Sequence, residues 1–451
     1  MNAPLPTRRT LIGLAVVTGA SALTGCAQGD EPDGTGKRPP PTRPTTDTSA
    51  LGEAPPAADA PSAASPGRAW RYTHVPPGGQ DASYRALAVT SRDDVWLLGT
   101  RDEPSFAPFL EHWDGKRWGE PELPDELRRG DRRSVFALAA GAPGELWLAQ
   151  RTVDGTGRPA RLAVHHRAGG DWQRLPDPPA VQGERWPGGA MDGAWCVASG
   201  THLWANLSGK VVHWDGQRWD VPPLAFSAAA LAAAPAADGV PRAWVAGAAD
   251  AECGQGGACY PQPASARWAD GAWQQIDAPT YRFPDPVPPE PSATLDTVVH
   301  DPVNDRLWAL GRHDFNHGEA DVEPDSEDIV LTGDGTGWTK VSVSDQGRAF
   351  ATATTVPDGT GGLLLDAWTR RTRDGTVHKL RAPDRLPEPS EVPKPKRRYD
   401  FEQPFDIART CLIPGTRTVL AVGVVRFNNS SDTGDPPLRP ALARYDADRA
   451  S

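Results

Sequence analysis

Several features that mark common protein classes are scarce in this sequence. Its 451 residues include only 5 cysteines, 6 tyrosines and 10 phenylalanines, and its formal net charge is −11. That charge gives no electrostatic basis for binding nucleic acid. The hydrophobic share of 38% argues against a multi-span membrane protein, and 46 Gly with 48 Pro argue against a mostly helical one.

Sequence motifs of the common enzyme classes are also missing. The chain has no nucleophile elbow, phosphate-binding loop, dinucleotide fingerprint or paired Cys-x-x-Cys motif, and no Ser, His and Asp can be assigned to a triad. The sequence therefore predicts no cofactor and identifies no reaction.

The first 25 residues are typical of an export signal. A short polar start precedes an apolar stretch, residues 11–23, that is too short to span a bilayer. Leu23-Thr24-Gly25-Cys26 then resembles a bacterial lipobox, which implies cleavage after Gly25 and a diacylglycerol on the Cys26 thiol. We expect residues 1–25 to be removed and the chain to be held at the extracytoplasmic face of the cell membrane through this lipid. The alternative is an ordinary secretory signal with an incidental cysteine.

Two arginines, Arg8 and Arg9, indicate the export route. Thr7-Arg8-Arg9-Thr10-Leu11-Ile12 resembles the twin-arginine motif, which implies export of an already folded protein. A general secretory signal also needs a positive start, so that route stays open.

Residues 26–68 form the predicted tether. Residues 27–66 are mostly Pro, Thr, Ala, Gly, Ser and Asp, a composition that builds no core and predicts a disordered segment. At about 3 Å per residue, such a chain reaches on the order of 100 Å when extended.

One pattern recurs between residues 69 and 446. It consists of an apolar strand, a strand centred on Trp, a variable stretch, a strand ending in aromatic-Asp-Gly, and a short Trp strand. Five copies carry both tryptophans, at Trp96 and Trp118, Trp147 and Trp172, Trp204 and Trp219, Trp244 and Trp273, and Trp308 and Trp338. A sixth copy, with Leu363-Leu364-Leu365 and Asp374-Gly375, is degenerate, and a seventh stops before its last strand.

The missing strand of the seventh copy stands at the start of the repeat region. Trp70-Arg71-Tyr72-Thr73-His74-Val75-Pro76 matches the pattern of Trp219-Asp220-Val221-Pro222. Seven copies of about 54 residues are near the ~50 of kelch repeats, and a ring closed by its first strand leaves no open edge. The sequence therefore predicts an all-β, seven-bladed β-propeller closed by an N-terminal strand, with residues 447–451 as a tail.

The repeats carry a resemblance to known families. Asp94-Val95-Trp96-Leu97-Leu98-Gly99 and His112-Trp113-Asp114-Gly115 look like the kelch-like and sialidase-like propeller repeats of secreted actinobacterial proteins. The resemblance implies the fold, with the tryptophans packing between blades, and implies no activity. Sialidases use an arginine cluster with a Tyr-Glu pair and an Asp acid, and neither Tyr281 nor Tyr399 can be assigned to that pair.

The cysteines fall into two groups. Cys253 and Cys259 lie six apart in the insertion between the second and third strands of blade four, and we expect a disulfide in an oxidising compartment, with a metal or free-thiol role as the alternative. Cys196 and Cys411 lie in first strands of opposite blades, too distant to bridge, and are expected to be buried apolar residues.

Arginines recur where second strands end. Arg101, Arg151, Arg312 and Arg426 occupy this position, and Arg370 is assigned to it in the degenerate blade. They would form an arc over blades five, six, seven, one and two that focuses an anionic ligand. The alternative is solvated arginines paired with nearby acids such as Asp102.

The insertion in blade five is rich in metal-ligand residue types. It contains His313, His317, Glu319, Asp321 and Glu327, but their spacing matches no EF-hand or zinc motif, so we predict an acidic solvated loop and no metal site. The basic run Lys394-Pro395-Lys396-Arg397-Arg398 is expected to be a flexible loop beside the same face.

Two functions from different classes fit these observations. The favoured hypothesis is a surface lipoprotein whose propeller binds an envelope protein, a glycan or another anionic ligand. The alternative is a propeller hydrolase or lyase acting on an anionic carbohydrate, with the arginine arc orienting substrate and Glu319 or Asp321 exchanging a proton. A structural envelope protein without a small ligand is a third possibility.

Overall fold

A computed structural model provides the architecture of the chain. It describes residues 69–76, 82–101, 107–128, 134–142, 144–153, 159–179, 195–207, 209–237, 239–249, 260–316, 324–342, 354–387, 403–427 and 438–447. These residues all belong to one compact unit, Thr48–Ser451. Within them, no helix is long and apolar enough to cross a bilayer.

The described strands form seven antiparallel sheets of four strands each, which are the blades of a propeller. Blade one contains β2 (Ala82–Ser91), β3 (Asp94–Arg101), β4 (Ala107–Trp113) and β5 (Trp118–Gly119). Blade two contains β6 (Ser134–Ala142), β7 (Glu145–Val153), β8 (Pro159–Ala168) and β9 (Asp171–Arg174). Blade three contains β10 (Cys196–Ser199), β11 (His202–Leu207), β12 (Lys210–Trp214) and β13 (Trp219–Asp220).

The remaining blades follow the same order. Blade four contains β14 (Ser227–Ala237), β15 (Val240–Ala249), β16 (Gln262–Ala269) and β17 (Ala272–Ile276). Blade five contains β18 (Ser292–Asp301), β19 (Arg306–Asp314), β20 (Glu327–Gly333) and β21 (Trp338–Lys340). Blade six contains β22 (Val356–Pro357), β23 (Leu363–Asp366), β24 (Thr369–Arg371) and β25 (Val377–Lys379). Blade seven contains β26 (Phe405–Leu412), β27 (Thr418–Arg426) and β28 (Leu438–Asp446).

The fourth strand of blade seven is β1 (Arg71–His74), which comes first in the chain and pairs with β28. Trp70 fixes this closure, because its indole Nε1 donates to the carbonyl of Ala367 at 2.7 Å and its ring lies 5.6 Å from that of Tyr445. The predicted all-β, seven-bladed propeller closed by an N-terminal strand is therefore confirmed.

The recurring tryptophans pack inside and between the blades. Trp118, Trp147 and Trp204 are fully buried, and in the first three blades the second-strand Trp stacks on a third-strand His, as Trp96 does on His112 at 3.7 Å. Each pair lies directly opposite in the strand register, where large side chains stabilise a sheet.

The alternating strand directions define two ends of the propeller. We call the loop face the end that carries the connections between second and third strands and the connections into the next blade. The turn face is the opposite end. At the turn face Asp114 accepts hydrogen bonds from the backbone amides of Lys116 and Arg117, both at 2.9 Å, while Gly115 has a φ of 88°, as expected for an Asp-Gly turn.

First strands in four blades contain a β-bulge near the loop face, with Arg85, Ala229, Asp296 and Ala408 as the extra residues. Each bulge lies next to the last glycine of the second-strand pattern, for example Gly311 opposite Leu295. A Cβ on Gly311 would overlap the carbonyl oxygen of Thr294. Glycine therefore recurs here because it leaves room for the bulged backbone.

Candidate functional site

Three predicted arc residues reach the surface of the loop face. Arg101, Arg312 and Arg426 lie at or near the ends of their second strands, with side chains 32%, 47% and 46% exposed. Each forms an ion pair with a carboxylate. The pairs are Arg101 with Glu120 at 3.1 Å, Arg312 with Asp314 at 3.2 Å, and Arg426 with Asp406 at 2.5 Å. These ion pairs match the alternative interpretation, in which the arginines are solvated and paired with nearby acids. The partners differ from Asp102, which lies outside the described residues.

Arg151 occupies the predicted strand but is buried. It is 1% exposed, and its guanidinium lies 4.8 Å from the ring centre of Trp195 at the boundary with blade three. Burial lowers the pKa of Arg151 to about 10. Its position is that of an inter-blade packing residue.

Arg370 is placed differently from the prediction. It lies in the third strand β24, because β23 is short and already ends at Asp366. Its Nε donates to Asp358 Oδ2 at 2.7 Å, and the side chains are 7% and 0% exposed. Arg370 thus joins a buried ion pair inside blade six and does not stand at the surface of the arc.

The loop face brings together a cluster that the repeats do not reveal. Tyr260 precedes β16 of blade four, while His313 is the last residue but one of β19 and Glu327 begins β20 of blade five. The Tyr260 hydroxyl contacts His313 Nε2, and His313 Nδ1 lies 3.2 Å from Glu327 Oε1. We call these three residues the rim relay.

Aromatic side chains fix the imidazole of the rim relay. Phe283 stacks on His313 with ring centres 3.9 Å apart, and Tyr281 approaches it at 5.5 Å. Phe315 packs edge-on against Phe283. These rings are buried, so they act as a wall around His313 and offer no open platform to a ligand.

The electrostatics of the rim relay favour neutral side chains at rest. Burial lowers the pKa of His313, and Glu327 acts in the opposite direction. Burial likewise raises the pKa of Tyr260, against the smaller effects of the Phe283 backbone amide and the charge of Arg282. A neutral imidazole and a neutral phenol therefore stand side by side.

Cations flank the rim relay. Arg282 is exposed, lies between the inward-facing Tyr281 and Phe283, and makes no ion pair with any carboxylate of the described ranges. Lys340 lies 3.6 Å from the ring centre of Tyr281, and its charge lowers the pKa of His313. Asp328 is also near, and burial raises its pKa to about 6, with Arg312 opposing the shift.

A metal site is not formed by the part of blade five that the structure describes. Among the described residues, no group of three or more His, Cys, Asp or Glu could hold an ion. His317, Glu319 and Asp321 lie outside those residues, so their predicted roles are untested. His313 and Glu327, noted in the sequence as metal-ligand types, contact each other directly.

Other predicted residues also fall outside the described ranges. They are Arg8, Arg9, Leu23, Gly25, Cys26, Cys253, Cys259, Tyr399 and the basic run 394–398, and their roles stay predictions. Cys196 and Cys411 lie in the first strands β10 and β26 as expected and form no disulfide. Cys196 is buried as expected, whereas Cys411 is only partly buried. Burial raises the pKa of both thiols to about 12, so little thiolate forms near neutral pH.

Sequence reasoning missed Tyr260 and Arg282. Their positions in the sequence could have indicated them, because both lie in connections of the loop face. Tyr260 directly follows the Cys253–Cys259 insertion, and Arg282 lies in the connection that leads into blade five. Two of the 6 tyrosines and two of the 10 phenylalanines gather here, so the scarcity of these residues elsewhere was a second signal.

No protein-family profile matches the chain, and no curated protein matches it in sequence. Similar solved structures are propellers. A six-bladed fucose-recognising lectin from the fungus Aleuria aurantia is 16% identical over 59% of this chain and 80% of the lectin, with a TM-score of 0.33. The β-propeller domain of the Trilobed protease from Pyrococcus furiosus is 9% identical over 81% of this chain and 94% of that domain, with a TM-score of 0.41. An ancestral GH74 enzyme is 11% identical over 83% of this chain and 49% of its own, with a TM-score of 0.40. Similarity this low assigns no function to the chain.

Proposed function

We propose that this chain is an extracytoplasmic lipoprotein whose propeller binds an anionic partner at the loop face. The export signal, the lipobox cysteine Cys26 and the tether of residues 26–68 support the location. The resemblance of the repeats to those of secreted actinobacterial proteins fits it. A tether of this length lets the loop face meet partners well above the membrane.

The observation that carries the binding proposal is the concentration of guanidinium groups on the loop face of a protein with net charge −11. Arg282 is exposed there without a carboxylate partner in the described ranges, and Arg101, Arg312 and Arg426 are partly exposed on the same face, each beside one carboxylate. Guanidinium groups bind carboxylates and phosphates through two parallel hydrogen bonds. An acidic glycan, or an envelope protein presenting acidic groups, would supply them.

The insertion before Tyr260 strengthens the proposal if its cysteines pair. A disulfide between Cys253 and Cys259 would close a short loop on the face that carries Arg282. A stiff loop loses less conformational entropy when it contacts a ligand. The oxidising environment outside the cytoplasm favours that bond.

Thermal unfolding of the full chain carrying Cys26→Ser tests binding. The ligands are polygalacturonate, cell-wall fragments and inorganic phosphate, and tryptophan emission reports unfolding. A ligand at a hundred times its Kd should stabilise the fold by about 2.7 kcal/mol. We expect the shift to disappear in an Arg282→Ala variant and in an Arg101→Ala, Arg312→Ala double variant.

The matched control lies at the turn face. Arg117 and Arg218 have side chains 82% and 84% exposed, so an Arg117→Ala, Arg218→Ala double variant removes the same charge from the other end of the propeller. It should keep the full ligand-induced shift. Equal loss in both double variants, or no shift with any ligand, would contradict binding at the loop face.

The membrane anchor needs a separate test. Replacing Cys26 with Ser in the expressing cell should move the protein from the membrane fraction to the soluble fraction, because one thiol carries the lipid. Equal partitioning of the two proteins would contradict lipidation without bearing on the loop face.

A further inference from the structure

We propose that Tyr260 is a catalytic acid–base group whose proton is exchanged through His313 and Glu327, acting on a substrate that carries an anionic group next to the reacting proton. This inference goes beyond binding, since it assigns proton transfer to one position of the loop face. It shares Arg282 with the proposed function, so its test must separate the relay from anion binding.

The hydrogen bonds of the rim relay have a defined direction. The Glu327 carboxylate can only accept, so His313 Nδ1 carries the hydrogen and donates to Oε1 at 3.2 Å. In the neutral imidazole the lone pair then lies on Nε2, which accepts the Tyr260 hydroxyl. Nε2 is thus a base positioned at the phenol.

The relay joins an exposed carboxylate to a partly exposed tyrosine through a buried imidazole. The Glu327 side chain is 48% exposed, the His313 side chain is 5% exposed, and Tyr260 is partly exposed. Phe283 and Tyr281 hold the His313 ring in place. A fixed base behind the hydroxyl of a partly exposed tyrosine is the geometry that acid–base catalysis needs.

No other histidine in the described ranges lies between a carboxylate and a tyrosine hydroxyl. His74 and Tyr84 both bind the same carboxylate, Glu111, and Tyr84 is 1% exposed, so that hydroxyl is closed to a substrate. His213 contacts Asp220 with one nitrogen and His202 with the other. A purely structural role explains those pairs, whereas the rim relay ends in a tyrosine that is partly exposed.

The proton step balances within the three residues and the substrate. Tyr260 Oη takes a proton from a C–H or O–H bond of the substrate while its own proton moves to His313 Nε2. The substrate keeps the electron pair of the broken bond, and the imidazolium is stabilised by Glu327. The reverse transfer returns a proton to the product or the leaving group.

Arg282 defines the chemical class of the substrate. Its charge acts on Tyr260, and it has no carboxylate partner in the described ranges. A guanidinium bound to a substrate carboxylate withdraws charge and makes a neighbouring proton more acidic. A carboxylate-bearing molecule, such as an acidic sugar, meets both requirements.

Tyrosine-directed labelling of the full chain with Cys26→Ser tests the proposal. The probes are benzenesulfonyl fluoride, which is neutral, and para-carboxybenzenesulfonyl fluoride, which carries a carboxylate. In the reaction the Tyr260 Oη–S bond forms, fluoride leaves, and the phenolic proton moves to His313. Mass spectrometry gives the site and the rate. We expect Tyr260 to react about tenfold or more faster in the folded chain than in the urea-unfolded chain near pH 7.

The pH profile separates a relay from a structural role. The groups that face His313 are Glu327, Asp314, Lys340, Tyr260 and Tyr281. With the neutral imidazole as base, the wild-type rate should be nearly constant from about pH 7 to 9, and in His313→Gln it should rise about tenfold per pH unit as the free phenol ionises. Glu327→Gln keeps the imidazole and should lower the rate at every pH in this range, because no carboxylate stabilises the imidazolium that forms. Glu327 is exposed, so its variant keeps the fold even if His313→Gln does not.

Arg282→Ala separates the relay from the anion site. It should slow the carboxylate probe by about tenfold and leave the neutral probe unchanged. If Arg282→Ala slows both probes equally or slows neither, while the pH profile of the wild type is as expected, the substrate class and the proposed binding function are overturned. A wild-type rate no greater than in the unfolded chain, or an unchanged rate in Glu327→Gln, would overturn the relay and leave anion binding standing.

Discussion

Carboxylates at the two ends of the propeller share some kinds of partner and differ in others. At the turn face Asp94 accepts hydrogen bonds from Trp96, His112 and Thr90, which lower its pKa to about 2 although burial acts to raise it. Carboxylates there also close turns and pair with arginines, as Asp114 does with Arg117 and Asp305 with Arg242. At the loop face Glu120, Asp314 and Asp406 pair with half-exposed arginines, and Arg282 is left without such a partner.

Two histidines of blade five, one near each end of the propeller, differ in what they contact. His300, near the turn face, contacts Asp305 at 2.9 Å and stacks on Trp244. His313, near the loop face, links Glu327 to the hydroxyl of Tyr260. Burial is the main cause that lowers the pKa of both imidazoles. Similar environments thus produce a structural contact at one end and a positioned base at the other.

The largest expected effect comes from breaking the buried ion pair in blade six. Asp358 accepts Arg370 Nε and the amides of Thr360 and Gly362 at 2.7–2.9 Å. Asp358→Asn keeps the shape but leaves the Arg370 charge buried without compensation, which should cost about 3–5 kcal/mol. Urea unfolding followed by tryptophan emission measures it. Asp374→Asn, in an exposed turn of the same blade, should leave the midpoint unchanged, and equal effects would show that burial of the pair does not matter.

Blade six also shows how far the sequence predicts the structure. The five complete Trp pairs predicted the blades, and the strand from Trp70 predicted the closure, because each repeat must bury one face against its neighbour. In blade six the Trp pattern is absent, so nothing in the sequence showed that β23 ends at Asp366 and that Arg370 belongs to the third strand.

The rim relay could not be predicted from the sequence, for a different reason. His313 and Glu327 were visible as polar residues of one insertion, but their contact depends on the register of β19 with β20. Tyr260 lies more than fifty residues earlier, in another blade. Its distance from His313 is fixed by how neighbouring blades pack, which local patterns do not encode.

A smaller effect is expected from the glycine that precedes Arg312 and His313. In Gly311→Ala the new methyl group would overlap the backbone of Thr294 at the bulge, and relieving the overlap should cost about 1–3 kcal/mol. The displaced strand end should also slow the labelling of Tyr260. Gly337→Ala in the same blade adds a methyl group where no atom lies within 4 Å, so it should change neither stability nor labelling. Equal unfolding midpoints for the two variants would show that the bulge adapts freely.

The smallest expected effect is the acid sensitivity due to His300. Its folded pKa is lowered by burial, with Asp305 opposing the shift, so above the unfolded value of about 6.5 both states are neutral and pH has no effect through this group. Below that value the unfolded chain binds a proton that the folded chain resists, and the free energy of unfolding falls by at most about 1.4 kcal/mol per pH unit until the folded pKa is reached. His300→Gln should therefore reduce the slope of unfolding free energy against pH between about pH 6.5 and 5, and leave it unchanged above pH 7.

The pH window separates this titration from other causes. Asp305 has a lowered folded pKa through its hydrogen bonds with Arg242 and His300, so its contribution is lost only at more acidic pH, below its usual value of about 3.9. Lost packing against Trp244 would instead shift the curve by the same amount at every pH. Equal slopes for wild type and His300→Gln would show that the turn-face histidine is not held neutral by the fold, and the comparison with His313 would then rest on geometry alone.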